Sequence, residues 1–141
     1  MSDNAEYDQL VSEHEYRKAE YVACENRIDE CNYLLERLRA ARDDVSALKD
    51  RFRDEVRSKD KKLKKEDFQW TGKKFNSYET KMVDLVDINE KYYDDTLDFV
   101  LDSLNTEITN VKNRRNDEYG ILGWIGDRIN NLGNMIVNFF N

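Results

Sequence analysis

Phe68-Gln69-Trp70-Thr71-Gly72 stands at the middle of a 141-residue chain, between two long stretches that repeat apolar residues at helical spacing and contain no proline. A large aromatic followed closely by a glycine suits a tight turn between helices: the indole can be buried and the glycine can take backbone angles closed to other residues. The stretch predicts an α-hairpin, with one amphipathic helix ending before it and a second beginning after it.

Working back from the turn, Tyr7, Leu10, His14, Arg17, Tyr21, Cys24, Ile28, Cys31, Leu35 and Leu38 step by alternating threes and fours. That is the average period of 3.5 residues of a packed helical seam. The series continues as Ala41, Val45, Leu48 and Phe52, which requires two successive steps of three, a stammer that overwinds the coil locally. With no proline to interrupt it, the first helix is expected over about residues 7–60.

The formal charge of −7 is unevenly placed. Residues 1–56 hold 9 bases and 15 acids, residues 57–74 hold 8 bases and 3 acids, and residues 75–119 hold 5 bases and 11 acids. An acidic chain with one short basic segment lacks the broad basic face that a nucleic-acid backbone requires. The basic segment reads as solvated side chains near a helix C-terminus, where cations are favoured.

Working forward, the second helix is expected over about residues 75–118. On a helical projection Met82, Val83, Leu85, Val86, Ile88, Tyr92, Tyr93, Leu97, Phe99, Val100, Leu101 and Leu104 cover about 220°, whereas one antiparallel neighbour covers a stripe of about 100°. The excess calls for another surface. The residues expected to meet a partner are Met82, Val83, Val86, Tyr93, Leu97, Val100, Leu101 and Leu104. Asp84, Asp87, Asp94, Asp95, Asp98 and Asp102 fill the remaining arc, with Lys91 its only base, as a solvated ridge or a recognition face for a basic partner.

Beyond Val111 the run Lys112-Asn113-Arg114-Arg115-Asn116-Asp117-Glu118 is polar, and Gly120 reads as a helix stop. A separate amphipathic element is therefore expected over about 120–140. Trp124, Ile125, Ile129, Leu132 and Ile136 on its apolar side would dock on this chain or on a partner. Asp127 and Arg128 are its only charged side chains, fewer bases than an interfacial membrane helix carries. No run of 18 apolar residues suggests a spanning segment, and the N-terminal residues do not form a secretory leader.

Chemistry is scarce. Cys24 and Cys31 share a face but lie about 10 Å apart along a helix, too far for one ion or a disulfide. His14 is the lone histidine, and no phosphate loop or nucleophile elbow appears. No catalytic residue, metal ligand or cofactor is expected, and the chain does not read as an enzyme.

At Trp70-Thr71-Gly72, with long heptad helices on both flanks in a short acidic chain, the sequence resembles the WXG superfamily of helical hairpins handled by type VII secretion systems of Gram-positive bacteria. Its length and apolar C-terminal segment are similar to the YwqH-like small partner proteins of LXG-type toxins. The resemblance implies that Trp70 and Gly72 shape the turn. It also implies that the chain serves as a partner or chaperone of a toxin's helical N-terminal domain, with room for a second small helical partner. It would act in the cytoplasm and leave, if exported with the toxin, by a leaderless route. The Tyr-x-x-x-Asp/Glu export spacing of many secreted partners is absent after the second helix, where Tyr119 is followed by Gly123. A self-associating coiled-coil scaffold, and a peripheral membrane protein anchored by the C-terminal helix, are the alternatives.

The expected architecture is thus a single all-α domain. It comprises a long antiparallel two-helix hairpin, a basic segment and W-x-G turn over about 57–74, and a short C-terminal amphipathic helix. As the buried pin of that turn, Trp70 replaced by alanine should cost on the order of 3–5 kcal/mol in urea unfolding. A change below about 0.5 kcal/mol would place the indole in solvent.

Overall fold

A computed structural model describes the backbone of residues 2–65 and 73–141 and the side chains of residues 3–58, 81, 84, 85 and 87–141. It is all-helical: α1 spans Ser2–Lys65, α2 spans Lys73–Asn138, and no strand occurs among the described residues. Trp70 and Gly72, together with the side chains of Met82, Val83 and Val86, lie outside the described residues. The two long helices pack against each other in two compact units. Unit 1 comprises Met1–Arg37 and Ile108–Asn141, and unit 2 comprises Leu38–Glu107.

In unit 1 the helices run antiparallel. The Tyr7 ring meets those of Phe139 and Phe140, with centroids 5.7 and 5.1 Å away. Further along α1, Glu13 accepts two hydrogen bonds from Arg128 at 3.0 and 3.1 Å, and Asn32 accepts one from Arg115 at 3.0 Å. Between these lies the core, where Cys24, Ile28 and Ile125 pack together under Tyr21, Leu122 and Ile129. Cys31, Leu35, Ile108, Val111 and Leu132 are also buried. The helices approach closely at Gly126, where an added Cβ would lie 3.6 Å from the Tyr21 ring.

Unit 2 is antiparallel as well, and its described contacts are more polar. Arg42 bonds Asn105 at 3.3 Å, Lys49 bonds Asp98, Arg53 bonds Asp94 at 3.2 Å, and the Phe52 and Tyr93 rings stack with centroids 4.4 Å apart. Val56 is its only buried apolar residue among those described.

Two expectations are corrected. The stammer after Leu38 does not exist. Leu48 is 47% exposed, and the seam of α1 continues at unbroken heptad spacing through Arg42, Val45, Lys49, Phe52 and Val56. Arg42 and Lys49 occupy seam positions by burying their aliphatic stems while their charged ends reach partners at the rim.

The separate C-terminal element is also absent. Gly120 does not stop the helix, and residues 120–138 are the last part of α2. From Leu97 onward α2 presents Leu101, Leu104, Ile108, Val111, Arg115, Glu118, Leu122, Ile125, Ile129 and Leu132 at steps of four and three, all buried or half-buried. The polar run before Gly120 resembled a linker because Arg115 and Glu118 hold two consecutive seam positions. Glycine in a helix costs roughly 1 kcal/mol relative to alanine, a penalty that the burial of Ile125 and Leu132 outweighs.

An alanine Cβ at Gly120 would meet nothing within 4 Å, and no left-handed backbone is present there. Gly120→Ala should therefore stabilise the fold by roughly 0.5–1 kcal/mol in urea unfolding. Destabilisation would mark the helix break that the structure lacks.

Candidate functional site

The second-helix residues expected to meet a partner divide into two groups. Leu97, Val100, Leu101 and Leu104 are half-buried, and Leu97, Leu101 and Leu104 stand at seam positions, so much of their apolar surface is used inside unit 2. Tyr93 is exposed on one side and stacked on Phe52 on the other. Four other members of the apolar arc are left uncovered: Leu85 at 55%, Ile88 at 63%, Tyr92 at 66% and Phe99 at 72% exposure. Successive positions 85, 88, 92 and 99 fall within about 60° of helical projection. They form one stripe on the side of α2 away from the seam.

The chemistry of that stripe is simple. Isolated exposed apolar residues are ordinary on protein surfaces, but an aligned row of large ones marks an interaction surface. The choice of seam residues as candidates missed these four because all apolar positions of α2 were treated as one arc. The signal that separates them is present in the sequence: two heptad rows run along α2, and only one can face α1.

In the C-terminal part of α2, Ile125 and Leu132 are fully buried, and Ile129 and Ile136 half-buried. Ile125 and Ile129 pack with Cys24 and Ile28, so this apolar side docks on the chain's own first helix. Trp124 differs, being 56% exposed. Its indole lies under the Arg17 guanidinium, 4.8 Å from the ring centroid, and Arg17 also lies 5.5 Å from the Tyr16 ring. Glu20 holds Arg17 at 2.7 Å. An aromatic–arginine–aromatic group of this kind suits the centre or rim of a protein contact.

The remaining polar cluster is structural. Cys24 Sγ lies 3.1 Å from Glu118 Oε2, and Arg27 Nε donates to Glu118 Oε1 at 3.0 Å. Burial pushes the Cys24 thiol up, reinforced by the neighbouring Glu118 carboxylate. The hydrogen bonds from Arg27 and then Cys24 hold Glu118 below the ordinary carboxylate range. The adjoining recess, lined by Arg27, Glu30, Cys31, Leu34, Arg114 and Glu118, has a volume of about 120 Å³. Sites for organic ligands are several times larger, on the order of 300–1,000 Å³. Among the described residues no group of three or more His, Cys, Asp or Glu could hold a metal ion, and no helix is long and apolar enough to cross a membrane.

No family model, curated protein or solved structure matches the chain.

The Glu118 cluster ties stability to pH in both directions. Glu118, whose folded pKa is depressed, contributes stability present above its unfolded value of about 4.3 and lost as pH falls through the folded one. Cys24, whose folded pKa is raised, contributes stability present below its unfolded value of about 8.5 and lost as pH rises through the folded one. The melting temperature of the wild type should therefore fall more steeply below about pH 4 than that of Glu118→Gln. Parallel acid limbs in the two proteins would show that Glu118 does not contribute.

Proposed function

We propose that the chain is a non-enzymatic helical partner or targeting chaperone. It binds the long helical N-terminal domain of an LXG-type toxin and accompanies it to a type VII secretion system. The observation that carries this reading is the stripe Leu85, Ile88, Tyr92 and Phe99, which stays exposed although α2 already has α1 as a neighbour. A two-helix protein that exposes a row of large apolar side chains is suited to complete a bundle with another helical protein. The resemblance of Trp70-Thr71-Gly72 to the W-x-G turn supports the same assignment, with Trp70 and Gly72 shaping the connection between the helices. The mechanism is helix-face complementarity: apolar burial supplies affinity, and the acidic positions along α2 orient the partner.

Co-expression with the LXG-type toxin domain encoded beside this chain, followed by size-exclusion chromatography, tests the proposal. The two proteins should co-elute. Phe99→Asp should weaken the complex at least tenfold, about 1.4 kcal/mol, without lowering the helical circular-dichroism signal. Separate elution of a folded chain and a folded toxin domain would sink the proposal.

A further inference from the structure

The exposed stripe of unit 2 carries more information than its apolar content. Leu85, Ile88, Tyr92, Asp95, Phe99 and Asp102 advance by steps of three and four, the period of a second coiled-coil seam. All six are exposed. Asp94 and Asp98, on the side facing α1, are paired with Arg53 and Lys49. Asp95 and Asp102, on the stripe, have no ion-pair partner among the described residues. Asp84, Asp87 and Glu90 have none either, but of these acids only Asp95 and Asp102 stand in line with the exposed apolar row.

We infer that this row receives one amphipathic helix from another protein, and that this helix carries basic side chains seven residues apart opposite Asp95 and Asp102. The inference rests on the reading of the chain as a helical partner and specifies the chemistry of what it takes. The protein's own seam supplies the precedent. In unit 2, α1 offers Arg42 and Lys49, seven residues apart, to Asn105 and Asp98, likewise seven apart. An incoming helix would repeat on the outer side of α2 what α1 does on the inner side.

The same row on a second copy of the chain does not satisfy it. Parallel self-pairing sets Asp95 against Asp95 and Asp102 against Asp102, like charges in the packed layer. Antiparallel self-pairing sets these carboxylates largely against Leu85, Tyr92 or Phe99, where a charge loses water and gains no counter-ion. An anionic lipid surface is disfavoured for the same reason, since the acids sit in the middle of the apolar row. A lysine or arginine on the partner resolves both problems, because its long stem covers apolar surface while its charged end reaches the carboxylate.

Two synthetic amphipathic helices test this, identical except for lysine or glutamate at the two positions opposite Asp95 and Asp102. Titrated calorimetrically into the full chain, the lysine peptide should bind at least tenfold more tightly than the glutamate peptide. In the double variant Asp95→Lys/Asp102→Lys the preference should reverse, and Phe99→Asp should weaken both peptides. These positions are exposed, and unchanged circular dichroism would confirm an intact fold. Equal binding of the two peptides would overturn the inference, as would a preference unaffected by the double variant. So would a tight homodimer lost in Phe99→Asp, or binding to phosphatidylserine vesicles in place of the peptide. If the toxin domain co-elutes but is indifferent to the double variant, the partner assignment stands and the basic-helix inference falls. If the lysine peptide binds while the toxin domain does not, the outcome is the reverse.

Discussion

The seam between α1 and α2 is the constraint on which the rest of the structure depends. Helix stability in proteins comes mainly from an amphipathic face that finds a partner, and here each long helix finds it in the other. The seam is also uneven. Unit 1 supplies eight of the nine buried apolar residues among those described, and unit 2 supplies only Val56. In unit 2 the pairing is carried by Arg42, Lys49 and Arg53 on α1, facing Asn105, Asp98 and Asp94 on α2. Exposed ion pairs stabilise weakly, each by roughly 0–1 kcal/mol, so these polar contacts specify register more than they add stability.

This division separates structure from function along the chain. In unit 1 the helices spend their apolar surface on one another: Ile125 and Leu132 vanish into the contact with α1. In unit 2 polar pairs take seam positions, and large apolar side chains remain on the outside. Leu85, Ile88, Tyr92 and Phe99 are more exposed than any apolar residue of the seam they flank. A region with a weak inner seam and an apolar outer row is suited to accept a third helix.

The helical class and most of the α1 seam follow from spacing, because the series from Tyr7 to Leu38 keeps its steps of three and four through His14 and Arg17, whereas the antiparallel pairing is read from the central turn stretch. Past Leu38 on α1, and before Gly120 on α2, spacing failed where charged residues held seam positions. In place of Arg42 and Lys49 it took Ala41 and Leu48 and so introduced a stammer; at Arg115 and Glu118 it read a linker and ended the helix at Gly120. Both errors have the same physical origin, since a long charged side chain can bury its stem and look apolar to its neighbours while counting as polar in the sequence. The candidate surface was half visible. The excess apolar arc of α2 could be counted, but assigning Leu97, Leu101 and Leu104 to the inside and Leu85, Ile88, Tyr92 and Phe99 to the outside required the register against α1.

The antiparallel pairing also sets the order in which the chain can close. The unit 2 contacts join residues 41 to 63 apart in sequence, such as Arg53 with Asp94, whereas Glu13 and Arg128 of unit 1 are 115 apart. Loop-closure entropy grows with the logarithm of separation, so making the longer contact first costs about 0.9 kcal/mol more. Zippering is therefore entropically easier from unit 2 toward the two termini. Yet among the described residues the nearer contacts are largely polar and weakly stabilising, and most of the buried apolar ones lie toward the two termini. Along this part of the hairpin, the contacts that are easiest to close are not the ones that hold it most firmly.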